Sequence, residues 1–68
     1  MPTKKQLAEI EKIALRQWNE LPLEARQTEF QAANFAEQIE REHGAHYKSV
    51  LSWIVRHEMR KGHPLSGR

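Results

Sequence analysis

Apolar positions recur at helical spacing almost from the first residue of the chain. Leu7, Ile10, Ala14, Trp18 and Leu21 step by three and four, Ile13 widens the stripe, and Lys5, Lys12 and Arg16 fall on the other face. That is the period of an amphipathic helix. Thr3, with Gln6 three residues later, forms a capping-box pattern, so a helix is predicted over about 3–20. Leu21-Pro22-Leu23 then breaks it, because a residue before proline is pushed out of helical geometry and proline suits the first position of a new turn. A short helical turn is predicted at 22–26, with Leu21 and Leu23 anchoring it to the core.

Thr28 and Gln31 repeat the capping-box pattern and open a second helix, predicted over about 29–43. Ala32, Phe35, Ala36, Ile39 and His43 form its stripe, Phe30 sits near the entry, and Gly44 is placed to end it in left-handed geometry. A third helix is predicted over about 46–61, with Val50, Trp53, Ile54 and His57 facing the core and Tyr47, Leu51 and Val55 at the margins. Lys48, Ser52, Arg56 and Arg60 repeat every four residues along another side, flanked by Ser49. Gly62 and Pro64 stop this helix. No segment alternates with period two for long enough to make a strand. The expected fold is all-α: a compact three- or four-helix domain over residues 1–61, followed by a flexible basic tail at 62–68. Trp18, Phe35, Ile39, Val50, Trp53 and Ile54 are the expected core, and Trp53→Ala is expected to leave the chain largely unfolded.

Length narrows the function classes. At 68 residues and 8.0 kDa the chain is one small domain, too short for a multi-domain enzyme, a Rossmann fold or a barrel. It has no cysteine, hence no disulfide framework and no thiolate metal site. No apolar run approaches the roughly 20 residues that span a bilayer, and no apolar stretch follows the basic start, so neither a membrane segment nor a secretory signal is expected. The expected location is cytoplasmic, and the start at Met1 reads as a complete small gene product.

Charge is unevenly distributed. The whole chain carries +2, yet residues 1–44 hold six basic and eight acidic side chains, net −2, whereas residues 45–68 hold five basic side chains against Glu58, net +4. Such asymmetry points to an anionic partner for the C-terminal third. The third helix also exposes short polar groups early and arginines later. A recognition helix needs that order: small hydrogen-bonding side chains reach base edges, and long cations beyond them hold phosphates.

Phe35-Ala36, Ile39, Gly44, Val50 and Trp53, in FAEQIEREHGAHYKSVLSWI, resemble the helix-turn-helix motif of small regulators and transposase N-terminal domains. In that motif a turn glycine is followed six and nine residues later by core residues, the places of Val50 and Trp53. The usual alanine four residues before the glycine is replaced by Glu40, and Ala36 lies one helical turn further back. The resemblance implies that His46, Tyr47, Lys48, Ser49 and Ser52 lie at the DNA-facing start of the third helix, with Arg56, Arg60 and Lys61 as backbone contacts. A second segment, WNELPLEARQTEFQAA, resembles the middle of an HMG box but lacks that box's basic N-terminal segment and intercalating first helix; it reads as shared turn chemistry.

Catalysis finds no motif: there is no GxSxG, no phosphate-binding glycine loop and no HExxH. Four histidines are many for this length, but His43 sits at a helix end, His57 on the apolar stripe and His63 in the tail, so no metal site and no cofactor are expected. The expected function is that of a small DNA-binding regulator or accessory protein, not an enzyme, acting as a homodimer because Leu51 and Val55 extend the apolar arc of the third helix. The alternative is a non-enzymatic protein-interaction module, an inhibitor or adaptor. No membrane and no small-molecule substrate are expected as partners.

Overall fold

The computed structural model describes residues 2–66. It contains three α-helices, α1 (Lys4–Glu20), α2 (Glu29–His43) and α3 (Tyr47–Arg60), with one 3-10 turn at Leu23–Ala25 between the first two. No strand is formed among the described residues. The small all-α domain expected from the pattern is the fold observed. Both capping boxes form: the Thr3 hydroxyl accepts from the Gln6 N–H and the Thr28 hydroxyl from the Gln31 N–H, and each glutamine side chain accepts from its cap's N–H in return. Gln31 also donates to the Glu24 carbonyl, which ties the 3-10 turn to the start of α2. Gly44 ends α2 with φ 82°, the left-handed conformation that a glycine enters at least cost.

The core is built around Trp18, which is 0% exposed. Ile10, Ile39, Val50 and Ile54 surround it, and Ala14, Ala32, Ala36 and Ala45 fill the positions between. Four alanines in a core of nine buried apolar residues let the three helices close on one indole. Phe35 meets Trp18 edge-on, ring centroids 5.4 Å apart at 63°.

Three expectations are corrected. Trp53 is half-buried and packs on the edge of the core, so the indole that carries the domain is that of Trp18. The reason is helix phase. The buried stripe of α3 is Val50, Ile54 and Glu58; Val50 and Ile54 face the core as expected, whereas Trp53 and His57 are centred about 80° round the helix from it. Leu23 does not anchor the 3-10 turn, being 67% exposed; Leu21 and the Arg26 Nε–H, which donates to the Leu21 carbonyl at 2.9 Å, hold that corner. Finally, residues 62–66 fold back over the domain where a tail was expected. Gly62 (φ 81°) closes α3, its N–H donating to the Met59 carbonyl and the His63 N–H to the Glu58 carbonyl. Leu65 packs on the core, the Ser66 carbonyl accepts from Glu29 N–H, and Ser66 N–H donates to the Gln27 carbonyl. Burial of Leu65 and capping of a free amide at the start of α2 are the forces that return it. The last two residues of the expected tail, 67 and 68, lie outside the described residues.

Glu58 is the one buried charged side chain among the described residues, 4% exposed. Its Oε1 accepts from the Trp18 Nε1–H at 2.5 Å, and its Oε2 faces the Lys61 ammonium at 3.8 Å. A buried indole N–H requires an acceptor, and this carboxylate supplies it. Glu58→Ala strands that donor, and we expect a loss of about 1–3 kcal/mol, read as a lower midpoint in thermal unfolding followed by circular dichroism.

Candidate nucleic-acid interface

The outer side of α3, opposite Val50 and Ile54, carries Lys48, Ser49, Ser52, Arg56, Met59 and Arg60, all exposed. No carboxylate interrupts it, because the only acid of α3 is the inward-facing Glu58. The polar stripe read at four-residue spacing is therefore one surface. The Arg56 Nε–H donates to the Ser52 carbonyl one turn back at 3.4 Å.

Three of the expected contact residues have other engagements. Tyr47 is half-buried and packs against the core. His46 is exposed and caps α3: its Nδ1 accepts from the Lys48 N–H at 3.1 Å, and its ring stacks on that of Tyr47 with centroids 5.1 Å apart. Lys61 turns away from the stripe, donating to the Asn19 Oδ1 at 2.6 Å and pairing with Glu58. The surface with free cations is thus Lys48, Arg56 and Arg60, with Ser49 and Ser52 between them.

Glu40, which stands where the helix-turn-helix pattern has a small residue, has a structural role. It is half-buried, and its Oε2 accepts from the Tyr47 N–H at 3.1 Å, reaching across the Gly44-Ala45-His46 turn. A carboxylate is favourable at a helix N-terminus, so α2 caps α3. The first amides of α3 are satisfied within the chain. The sequence pattern flagged Glu40 as a departure but did not disclose this contact, which depends on the path of the turn.

At the other end, Asn19 of α1 lies between His57 and Lys61, its side-chain amide 3.1 Å from His57 Nε2. Burial, helped by Lys61 and Arg60 and opposed by Glu58, lowers the His57 pKa from 6.5. The unfolded chain thus holds this proton more tightly than the folded one. Stability contributed here is complete above pH 6.5 and falls as pH drops through 6.5 toward the folded value. We expect the thermal midpoint to fall between about pH 7.5 and about pH 5.5, with part of that fall removed in His57→Gln.

An open groove of about 760 Å³ lies between the 3-10 turn and the returning segment, lined by Leu23, Arg26, Gln27, Glu58, Lys61 and His63, among others. Ser66 also lines it, and among the described residues no hydrogen bond pairs its hydroxyl with His63 or Glu58. Among the described residues no three His, Asp or Glu side chains converge as metal ligands, and no helix is long and apolar enough to cross a membrane. Leu51 and Val55, on which the dimer expectation stands, are both half-buried; the large apolar side chains most exposed are Leu23, Phe30 and Met59. No protein-family model, curated protein or solved structure matches the chain.

Proposed function

We propose that this protein binds double-stranded DNA as a small regulator or accessory factor, laying the outer side of α3 in the major groove. The observation that carries this reading is the acid-free surface of Lys48, Ser49, Ser52, Arg56 and Arg60 on a single helix. The two serines are short enough to let the helix approach base edges, and the three cations reach phosphates on either side. One protomer offers few contacts, so a second copy on a two-fold site belongs to the proposal. Its location is inside the cell, with nucleic acid.

The test is fluorescence anisotropy on mixed-sequence duplexes across about 50–200 mM salt. Three phosphate contacts release counterions with a log–log slope of at least roughly −2.7 per protomer, at about −0.9 per contact. Ser49→Ala and Ser52→Ala should shift sequence preference more than overall affinity. A second reading, a protein-interaction module, is favoured by Leu23 and Phe30, which are 67% and 68% exposed in the 3-10 turn and at the start of α2. Folded protein that ignores duplexes at the lowest salt leaves that reading in place.

A further inference from the structure

In a helix-turn-helix the helix before the recognition helix crosses the DNA backbone. Here that helix is α2, and it is unsuited to the task. Glu29, Glu37, Glu40 and Glu42 outnumber Arg41 four to one, and the charged side chains it exposes are Glu29, Glu37 and Glu42 against Arg41. A phosphate strand laid along α2 meets net negative charge.

The flank of α3 held by α1 is different. Asn19 touches His57 and Lys61, which marks where the two helices meet. Moving round α3 from His57 toward solvent, the next side chains are Trp53, Arg60, Ser49 and Arg56; moving round α1 from Asn19, they are Lys12, Lys5 and Arg16. The α1 set spans a sector of roughly 60° at about 100° per residue. Lys5, Lys12 and Arg16 are exposed, and Glu9 and Glu20 lie beyond them, on the side away from α3. Glu20 holds Arg16 only loosely, at 3.7 Å between two strongly exposed side chains. The cationic surface therefore continues from one helix onto the other, with Glu20 at its far edge on α1.

The geometry points to a two-helix interface in which α1, not α2, contacts the phosphate backbone beside α3, through Lys12 and Arg16, with the half-buried Trp53 at the seam. This rests on the DNA-binding reading above and assigns the orientation of the duplex on the protein. Electrostatic focusing by a cationic surface between two helices favours that approach over the acidic one.

The experiment compares salt slopes by anisotropy on one mixed-sequence duplex for the wild-type chain, Lys12→Gln/Arg16→Gln, Arg56→Gln/Arg60→Gln and Glu37→Gln/Glu42→Gln. All substitutions are at exposed positions, and circular dichroism melts check the fold. Two further contacts take the wild-type slope to roughly −4.5, and the α1 double variant should return it to roughly −2.7, so that its affinity falls about tenfold less than that of the wild type between about 50 and 200 mM salt. The α2 variant should bind like the wild type. If the α1 variant keeps the wild-type slope while the α3 variant loses it, the inference is overturned and the α3 reading stands. Tighter binding by the α2 variant overturns it also, placing the duplex against α2. No binding by the wild-type chain overturns both.

Discussion

Trp18→Ala should leave the chain largely unfolded at room temperature. A fully buried tryptophan cut to alanine typically costs about 3–5 kcal/mol. Here the loss is compounded, because the Glu58 carboxylate, buried against the indole N–H, loses its partner. A domain of 68 residues has roughly 3–10 kcal/mol to lose. The alanines around it, Ala14 on its own helix and Ala32 and Ala36 on α2, cannot close the space. Trp18→Phe separates the two contributions: it keeps most of the ring volume and removes the donor, and should retain helicity with a lowered midpoint. Trp53→Ala should cost less than Trp18→Ala, because its ring is only half-buried. Far-UV circular dichroism with thermal melts ranks the three. If Trp53→Ala were the more damaging, the assignment of the core in α3 would be wrong.

Reversing the charge at Arg56 and Arg60 together should abolish measurable duplex binding while leaving the fold intact. Both side chains are exposed on the acid-free side of α3. Each unit of charge beside a phosphate is worth on the order of 1 kcal/mol at contact distance in water. Two Arg→Glu changes alter four units, hence about 4 kcal/mol, on the order of a 1000-fold loss before salt screening reduces it. Glu37→Lys/Glu42→Lys changes charge by four units in the opposite sense on α2 and should leave affinity close to that of the wild type, whereas a gain as large as the α3 loss would place the duplex against α2. Anisotropy at low salt, with matched melting curves, reads both. Retained affinity in Arg56→Glu/Arg60→Glu would end the assignment of DNA to α3.

Much of this architecture is local and was therefore legible from the sequence. Capping boxes at Thr3–Gln6 and Thr28–Gln31, the break at Pro22 and the left-handed stop at Gly44 each depend on residues within a few positions of one another. Helix limits follow from such contacts, and the observed α1, α2 and α3 lie within one residue of their predicted limits at each end. The exposed stripe Lys48, Ser52, Arg56 and Arg60 was legible for the same reason, since spacing by four fixes a common side whatever the helix packs against.

Contacts between distant residues were decided only by tertiary structure. Periodicity shows that α3 has an apolar side but not its phase, because Tyr47, Val50, Leu51, Trp53, Ile54 and Val55 cover a wide arc and a charged residue is counted as solvent-facing. The buried stripe ends on Glu58 because, 40 positions earlier, an indole N–H needs an acceptor. Lys61 is drawn off the exposed stripe because Asn19 is brought beside it, and Glu40 reaches the start of α3 only through the path of one turn. The return of Leu65 to the core is likewise invisible to a reading that stops at Gly62 and Pro64. Local hydrogen bonds and spacing determine which helices form in this protein; which polar groups are withdrawn from its surface, and so which cations stay free, depends on where the packed helices bring their side chains together.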